Sequence, residues 1–273
     1  MVISINEHEP FGVGIDIDLQ TRTPADDDAM RSLFRHHHLL TFRGQNLTLD
    51  AQIDLMRLFG TPLLSAIDGV GYITNEQVAE NVLGNSALAF HSDLSFSPKP
   101  FDAISLHAVQ VENGRSSTLF IDATASYDRL PESLKREIDG YQTLQVFGGP
   151  NLAGRNGDDI DPALPRYVHP LVMTHPRTAE KLLFANYNQT ARIMELEDRE
   201  SEELIEQLFA HAYASDAIYE HVWQNGDIVV WDNLAVQHAR GAIADVGIRR
   251  LQRVVAAEAG FYEQHPQFLT AAM

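Results

Sequence analysis

From Phe101 to Ala257 the chain is cut into short apolar runs by turn residues, and this punctuation restricts the fold more than any other feature. Ile104, Leu106 and Ala108 alternate along one run, and Tyr141 to Phe147 is rich in β-formers. Further runs follow at Val168 to Thr174, Leu182 to Ala185, Ile218 to Trp223, Asp227 to Trp231 and Arg249 to Ala257. Segments of this length bounded by turn signals read as strands. Helical patterns are few. Thr23-Pro24 followed by Asp26-Asp27-Asp28 starts one, with a capping hydroxyl, Pro in the first turn and acids near the positive end of the helix dipole, and Met30, Leu33 and Phe34 form its apolar stripe. Others are expected at Thr48 to Phe59, closed by Gly60, at about 131–139 before Gly140, and at about 200–212, where Leu204, Ile205, Leu208 and Phe209 recur at helical spacing. Leu39 to Phe42 reads as a short buried strand. The fold class expected is mixed α/β, mainly β, with a jelly-roll core and flanking helices.

No repeat, low-complexity tract or Pro/Ser-rich linker divides the 273 residues, so one domain over 1–273 is expected. The segment 148–166, from Gly148-Gly149-Pro150 through Asp161-Pro162, holds too many breakers for either periodicity; a lid and a disordered loop both fit it. With 38 acidic against 20 basic residues and a net charge of −18, the chain opposes nucleic acid and anionic membrane surfaces. It has no Cys, which removes disulfides, thiolate metal sites and thiol nucleophiles and leaves His, Asp and Glu as strong metal ligands. The first residues lack a basic segment followed by an apolar one, and no apolar stretch approaches the ~20 residues of a membrane span. A soluble, cytoplasmic protein is expected.

Among the 12 His, only His91 has a carboxylate two positions on, Asp93. In extended backbone such a pair projects to one face and reaches one ion, although the spacing by itself is weakly specific. His238, after the apolar run Ile228 to Trp231, is the best candidate for a third ligand; a core His bonded to a backbone carbonyl is the plainer alternative. On a strand, Arg249, Leu251 and Arg253 share one face. If that face is interior, two guanidinium groups about 13 Å apart point into a confined space and call for anionic ligands or internal carboxylates. An exposed edge strand with solvated Arg side chains is the alternative.

Taken together, Phe90-His91-Ser92-Asp93-Leu94-Ser95-Phe96, Thr118, Trp231-Asp232-Asn233 to His238, Arg249 and Arg253 resemble the Fe(II)/2-oxoglutarate-dependent dioxygenases of the taurine dioxygenase and 2,4-dichlorophenoxyacetate dioxygenase (TauD/TfdA) type. The likeness spans almost the whole chain, including Phe42-Arg43-Gly44-Gln45, Arg57-Leu58-Phe59-Gly60 and His169-Pro170 to His175-Pro176. It implies a double-stranded β-helix (jelly-roll) domain in which His91, Asp93 and His238 bind Fe(II). It further implies 2-oxoglutarate and O2 as co-substrates, with Thr118 and Arg249 holding the remote carboxylate of 2-oxoglutarate. Arg253, Gln189 and Leu94 fall at substrate-binding positions, Arg253 toward a carboxylate, sulfonate or phosphonate. The implied reaction oxidises a C–H bond of a small anionic, polar molecule, hydroxylation being the default, with release of succinate and CO2. Similar proteins are often homo-oligomers.

The chain departs from the taurine enzymes at Gly60-Thr61-Pro62-Leu63-Leu64, where they carry a sulfonate-contacting His, and at Tyr187-Asn188-Gln189, where an aromatic is expected. The first departure argues against taurine itself, and the second implies a more polar pocket. Arg115-Ser116-Ser117 replaces the usual Gly-Gly before Thr118, and Phe90 stands where Trp is common. Desaturation, cyclisation or epimerisation would begin with the same steps. A non-catalytic jelly-roll binding protein and a zinc hydrolase using the same ligands are the competing classes. His36, His37 and His38 read as a helix end, and His169 and His175 as residues that order a strand.

Overall fold

The computed structural model describes residues 3–64, 69–76, 84–147 and 163–257. Most of the segment expected to be a lid or disordered, residues 148–162, lies outside these described residues.

The chain opens with β1 (Ser4–Glu7) and β2 (Val13–Asp16), then α1 (Pro24–His37), β3 (Leu39–Phe42) and α2 (Leu49–Met56). Helix α1 begins where the capping pattern places it: the Thr23 hydroxyl accepts from the Asp26 N–H while the Asp26 carboxylate accepts from the Thr23 N–H. Its last turn ends on His38 in the left-handed region, and buried Met30 and Phe34 face inward. Next come β4 (Thr61–Pro62), β5 (Val70–Thr74), β6 (Leu88–His91), β7 (Ala103–Val111) and β8 (Ser117–Asp122). Two short helices, α3 (Ala123–Asp128) and α4 (Glu132–Glu137), lead into β9 (Gln142–Val146), β10 (Arg166–Pro170), β11 (Val172–Thr174), β12 (Lys181–Leu183) and β13 (Thr190–Ile193). Helix α5 (Asp198–Ala212) then precedes β14 (Tyr219–Val222), β15 (Ile228–Asp232), β16 (Val236–Arg240) and β17 (Arg249–Ala257).

Two sheets form the jelly roll. The larger runs β1-β2-β3-β15-β7-β17-β4, with β5 also on β17, and the smaller runs β14-β8-β16-β6. Among these pairings only β2 with β3 is parallel. Strand alternation separates two apolar clusters. Leu106, Phe120, Val229, Trp231, Val236, Leu251 and Val255 fill the space between the sheets, and Ile228, Val230, Val254 and Ala256 pack outward with Met30 and Phe34 of α1 and Leu55 and Met56 of α2. A third cluster joins α5 to α4 and the β12–β13 region through Leu204, Leu208, Phe209, Leu134 and Ile193.

The sequence reading omits β1, β2, β4, β5, β6, β8, β13, β16 and α3; the four residues of β1 are all exposed, so no buried face marks that strand. The run Val168 to Thr174 is split in two at Leu171, which turns aside to bond the Tyr141 carbonyl. The regular part of α2 stops at Met56, and Arg57 to Phe59 continue as turn. No described helix is long and apolar enough to cross a membrane.

Candidate metal centre

Strand β16 lies between β8 and β6, and its register sets His238 directly against His91. Between His238 and Arg240 the pairing slips so that β6 carries one extra residue, a bulge of the kind that re-aims a side chain beside a site. The His91 Nδ1–H donates to the Ala89 carbonyl at 2.8 Å, which leaves its Nε2 as the lone-pair nitrogen. Asp93 stands in the turn after β6, so its meeting with His91 comes from that turn and not from the extended pair the spacing implied. The turn is fixed from below: the Asn233 amide accepts from the Asp93 N–H at 2.9 Å and donates to the Asp93 carbonyl at 2.9 Å and the Phe101 carbonyl at 3.2 Å. Leu94, the next residue, has φ +58°, a strained conformation for a branched side chain.

His91 Nε2 and His238 Nε2 lie 3.3 Å and 3.8 Å from Asp93 Oδ1, and one ligand atom from each of the three residues falls within 4.8 Å of the others. Adjacent donors on an octahedron with bonds of ~2.1 Å are ~3 Å apart, so two imidazoles and a carboxylate at these separations fit one face of a transition-metal ion. Their charge states fit as well. Burial, then the neighbouring His91, pushes His238 down to about 3, so its imidazole is neutral at ordinary pH. Burial opposes ionisation of Asp93, but the charge of the Arg253 guanidinium beside it outweighs that and holds the carboxyl well below the usual range. Among the described residues no other group of three His, Asp or Glu side chains converges in this way.

Interior cations surround the triad. Arg253 donates to Asp93 Oδ2 at 2.6 Å and lies 5.5 Å from the Phe101 ring. Thus the residue assigned to substrate already braces a candidate ligand. Arg249 is fully buried, and its Nε and Nη1 have no hydrogen-bond partner among the described residues. Burial, together with the charge of Arg240, lowers its pKa to about 9, which still leaves it charged at neutral pH. The backbone of Arg249 is pinned by Asn75, whose side chain accepts from the Arg249 N–H at 2.9 Å and also donates to the Ile243 and Gly247 carbonyls. Thr118 accepts from the Trp223 indole at 3.0 Å, and its own hydroxyl proton stays available to an acceptor.

The structure therefore brings His91, Asp93, His238 and Arg253 into contact and places Thr118 and Arg249 on the inward faces of β8 and β17. Gln189 sits deeper in the fold: its amide oxygen accepts from the Ser95 hydroxyl, its backbone N–H donates to Asn186, and the same buried group includes Gln145 and Thr190. Through Ser95 it supports the turn that carries Asp93 and Leu94. Leu94 packs against the interior apolar cluster. The sequence reading gave no role to Asn233, Asn75 or Arg240. Asn233 sits inside the Trp231-Asp232-Asn233 motif, and a buried amide after a strand was the available signal.

Residues 5–255 match the profile of the family described as taurine catabolism dioxygenase TauD, TfdA family. The alpha-ketoglutarate-dependent 2,4-dichlorophenoxyacetate dioxygenase of Cupriavidus pinatubonensis is 31% identical over 269 residues, covering 89% of this chain and 93% of the relative. Pentalenolactone F synthase of Streptomyces avermitilis is 30% identical over 248 residues, 80% of this chain and 81% of the relative. Among solved structures, AAD-2 in complex with Mn(II) and N-oxalylglycine aligns with a TM-score of 0.79 at 25% identity, covering 95% of this chain and 98% of that one. A taurine dioxygenase from Burkholderia xenovorans has the same fold, with a TM-score of 0.78 at 24% identity over 94% of this chain and 89% of its own.

Proposed function

From the premise that this chain belongs to the TauD, TfdA family of dioxygenases, we propose a division of labour among its interior residues and a class of substrate. The chain is an alpha-ketoglutarate-dependent dioxygenase that uses Fe(II), 2-oxoglutarate and O2. Bound Fe(II) supplies the activation of O2 that couples decarboxylation of 2-oxoglutarate to succinate and CO2 with oxidation of a substrate C–H bond. His91, Asp93 and His238 hold the metal, and the open positions of a three-ligand site are left to 2-oxoglutarate and O2. Asn233 holds the Asp93 turn in place. Arg249 gives its buried charge, and Thr118 its hydroxyl proton, to the remote carboxylate of 2-oxoglutarate, a charge-assisted pairing in a water-poor space. Arg253 keeps Asp93 ionised and brings its positive charge to an anionic group of the substrate, beside Leu94; Gln189 supports that wall through Ser95.

The substrate class is a small, polar carboxylate, sulfonate or related anion, with hydroxylation as the default outcome. The names of the relatives support this, since they act on phenoxyacetates, a sulfate ester and a sulfonate. The absence of a His in Gly60 to Leu64 argues against taurine. A second outcome, desaturation, cyclisation or epimerisation in a biosynthetic sequence, is favoured by the likeness to pentalenolactone F synthase. The zinc hydrolase reading has no use for a buried Arg249. Cytoplasmic location, one domain over 1–273 and homo-oligomeric assembly complete the reading; light scattering on the purified chain tests the last.

The observation that carries the proposal is the three-ligand cluster facing a buried guanidinium with free donors. Anaerobic titration of the apoprotein with Fe(II) and 2-oxoglutarate tests it. A weak visible charge-transfer band is expected in the wild type and not in His238→Ala. A folded wild type without the band refutes the assignment. Once the band is seen, succinate release across a set of small acids identifies the substrate.

A further inference from the structure

Arg249 has a neighbour of the same sign in the same interior. Arg240 closes β16 and is 6% exposed. Along that strand Val236 belongs to the interior cluster and His238 to the metal site, so Arg240 shares their face by alternation. It stands two residues beyond a ligand, about 7 Å along the strand. The β16–β8 ladder runs from Val236 opposite Asp122 to Ala239 opposite Leu119. One further step sets Arg240 against Thr118, and same-face partners across a ladder have Cβ atoms about 5 Å apart.

One donor of Arg240 is satisfied, Nη2 to the Gly84 carbonyl at 2.9 Å. Its Nε and Nη1 are buried with no hydrogen-bond partner among the described residues, the same condition as Arg249. Two buried guanidinium groups close enough for their charges to interact, with no carboxylate bonded to their buried Nε and Nη1 atoms among the described residues, are a costly arrangement in the ligand-free protein. A single carboxylate relieves it, because its two oxygens offer about four acceptor sites, enough for two forks and a hydroxyl.

We propose that Arg240 is a second cation of the co-substrate pocket, gripping the remote carboxylate of 2-oxoglutarate together with Arg249 and Thr118. This rests on the function proposed above and extends it: two guanidinium groups converging on one end of the pocket select 2-oxo diacids over 2-oxo monoacids.

The test compares 2-oxoglutarate with pyruvate, which has the same 2-oxo acid head and no second carboxylate. Binding of each to the anaerobic Fe(II) protein is followed by calorimetry and by the charge-transfer band in wild type, Arg240→Gln and Arg240→Lys. Arg240→Gln is expected to weaken 2-oxoglutarate on the order of 10- to 100-fold, the factor for losing hydrogen bonds to a charged group, and to leave pyruvate within about twofold. Arg240→Lys keeps the charge without the fork and falls between; it carries the comparison alone if the Gln variant does not fold. Equal weakening of both acids, or an unchanged 2-oxoglutarate affinity, overturns the role of Arg240. A wild type that binds neither acid overturns the co-substrate reading itself.

Discussion

Two buried charged regions of the molecule are built on opposite rules. Around Asp232 every charge is answered. Its Oδ2 accepts from His175 at 3.1 Å and Arg177 at 2.5 Å, its Oδ1 from the N–H groups of Leu234 and Ala235, and Arg177 pairs in addition with Asp102 at 2.7 Å. Nearby, His38 pairs with Asp122 at 3.1 Å. Although burial opposes it, the His175 and Arg177 contacts lower Asp232 to about 2. In the barrel interior, the Nε and Nη1 donors of both Arg249 and Arg240 are buried with no partner among the described residues. A closed group of this kind shapes the protein; an open one is shaped for something else. Asn233 links the two, since it follows Asp232 and grips Asp93.

The contrast is broken most severely by removing a metal ligand. Asp93→Ala is expected to abolish succinate formation coupled to product while circular dichroism shows a folded chain; product at the wild-type rate would remove Asp93 from the metal site. Next, the two regions should respond with opposite sign to loss of an arginine. Arg177→Met leaves Asp232 buried with less compensation and is expected to cost about 2–4 kcal/mol in denaturant unfolding. Arg249→Met removes an unanswered buried charge, so the ligand-free protein should hold or gain about 1–2 kcal/mol while 2-oxoglutarate affinity falls on the order of 100-fold. Destabilisation by both would mean that Arg249 is structural. Asn233→Ala should then weaken Fe(II) binding about 10- to 100-fold, the usual range for residues that orient metal ligands, as read by competition with a chelator.

The smallest expected effect concerns a second closed group at the base of the barrel, where His221 bonds Asp227 at 3.2 Å and Asp227 also pairs with Arg43. His8 stacks on Tyr219 beside them. Burial lowers the pKa of His221, and burial with the His221 and Arg43 charges lowers His8 to about 4. A His held below its unfolded value of 6.5 binds fewer protons when folded, so its contribution is intact above that pH and is lost as pH falls from about 6.5 toward 4. The melting temperature should drop over this window, and His221→Gln should flatten the drop. A flat profile in the wild type would mean that these imidazoles titrate normally.

How much of this was legible in the sequence follows from the same contrast. Ligands and cations are chemically distinctive, and His91, Asp93, His238, Arg249 and Arg253 stood out by type and order; the family profile and solved relatives agree with the fold class they implied. Apolar or alternating runs such as β7, β15 and β17 were legible; β1 buries no face and left no pattern, and the short buried strands β8 and β16 were not read as strands. What escaped was the support. The Asn233 clamp, the bulge in β6 and the group around Gln189 depend on partners far along the chain, and no local periodicity encodes them. Arg240 was illegible because one arginine at a strand end is ordinarily solvated. Only the ladder, continued one step beyond Ala239 opposite Leu119, sets it against Thr118.

The pairing of His91 with His238 across the β6–β16 ladder also sets an order of events during synthesis. When His91 and Asp93 have left the ribosome, the chain holds two of the three proposed ligands and neither of the strands, β15 and β16, that bring the third. High-affinity iron capture must wait until His238 has emerged and β16 has slotted between β8 and β6. Truncations ending before residue 236 are thus expected to bind Fe(II) no better than an unfolded peptide, and the appearance of tight binding along a series of lengthening nascent chains would report closure of the barrel.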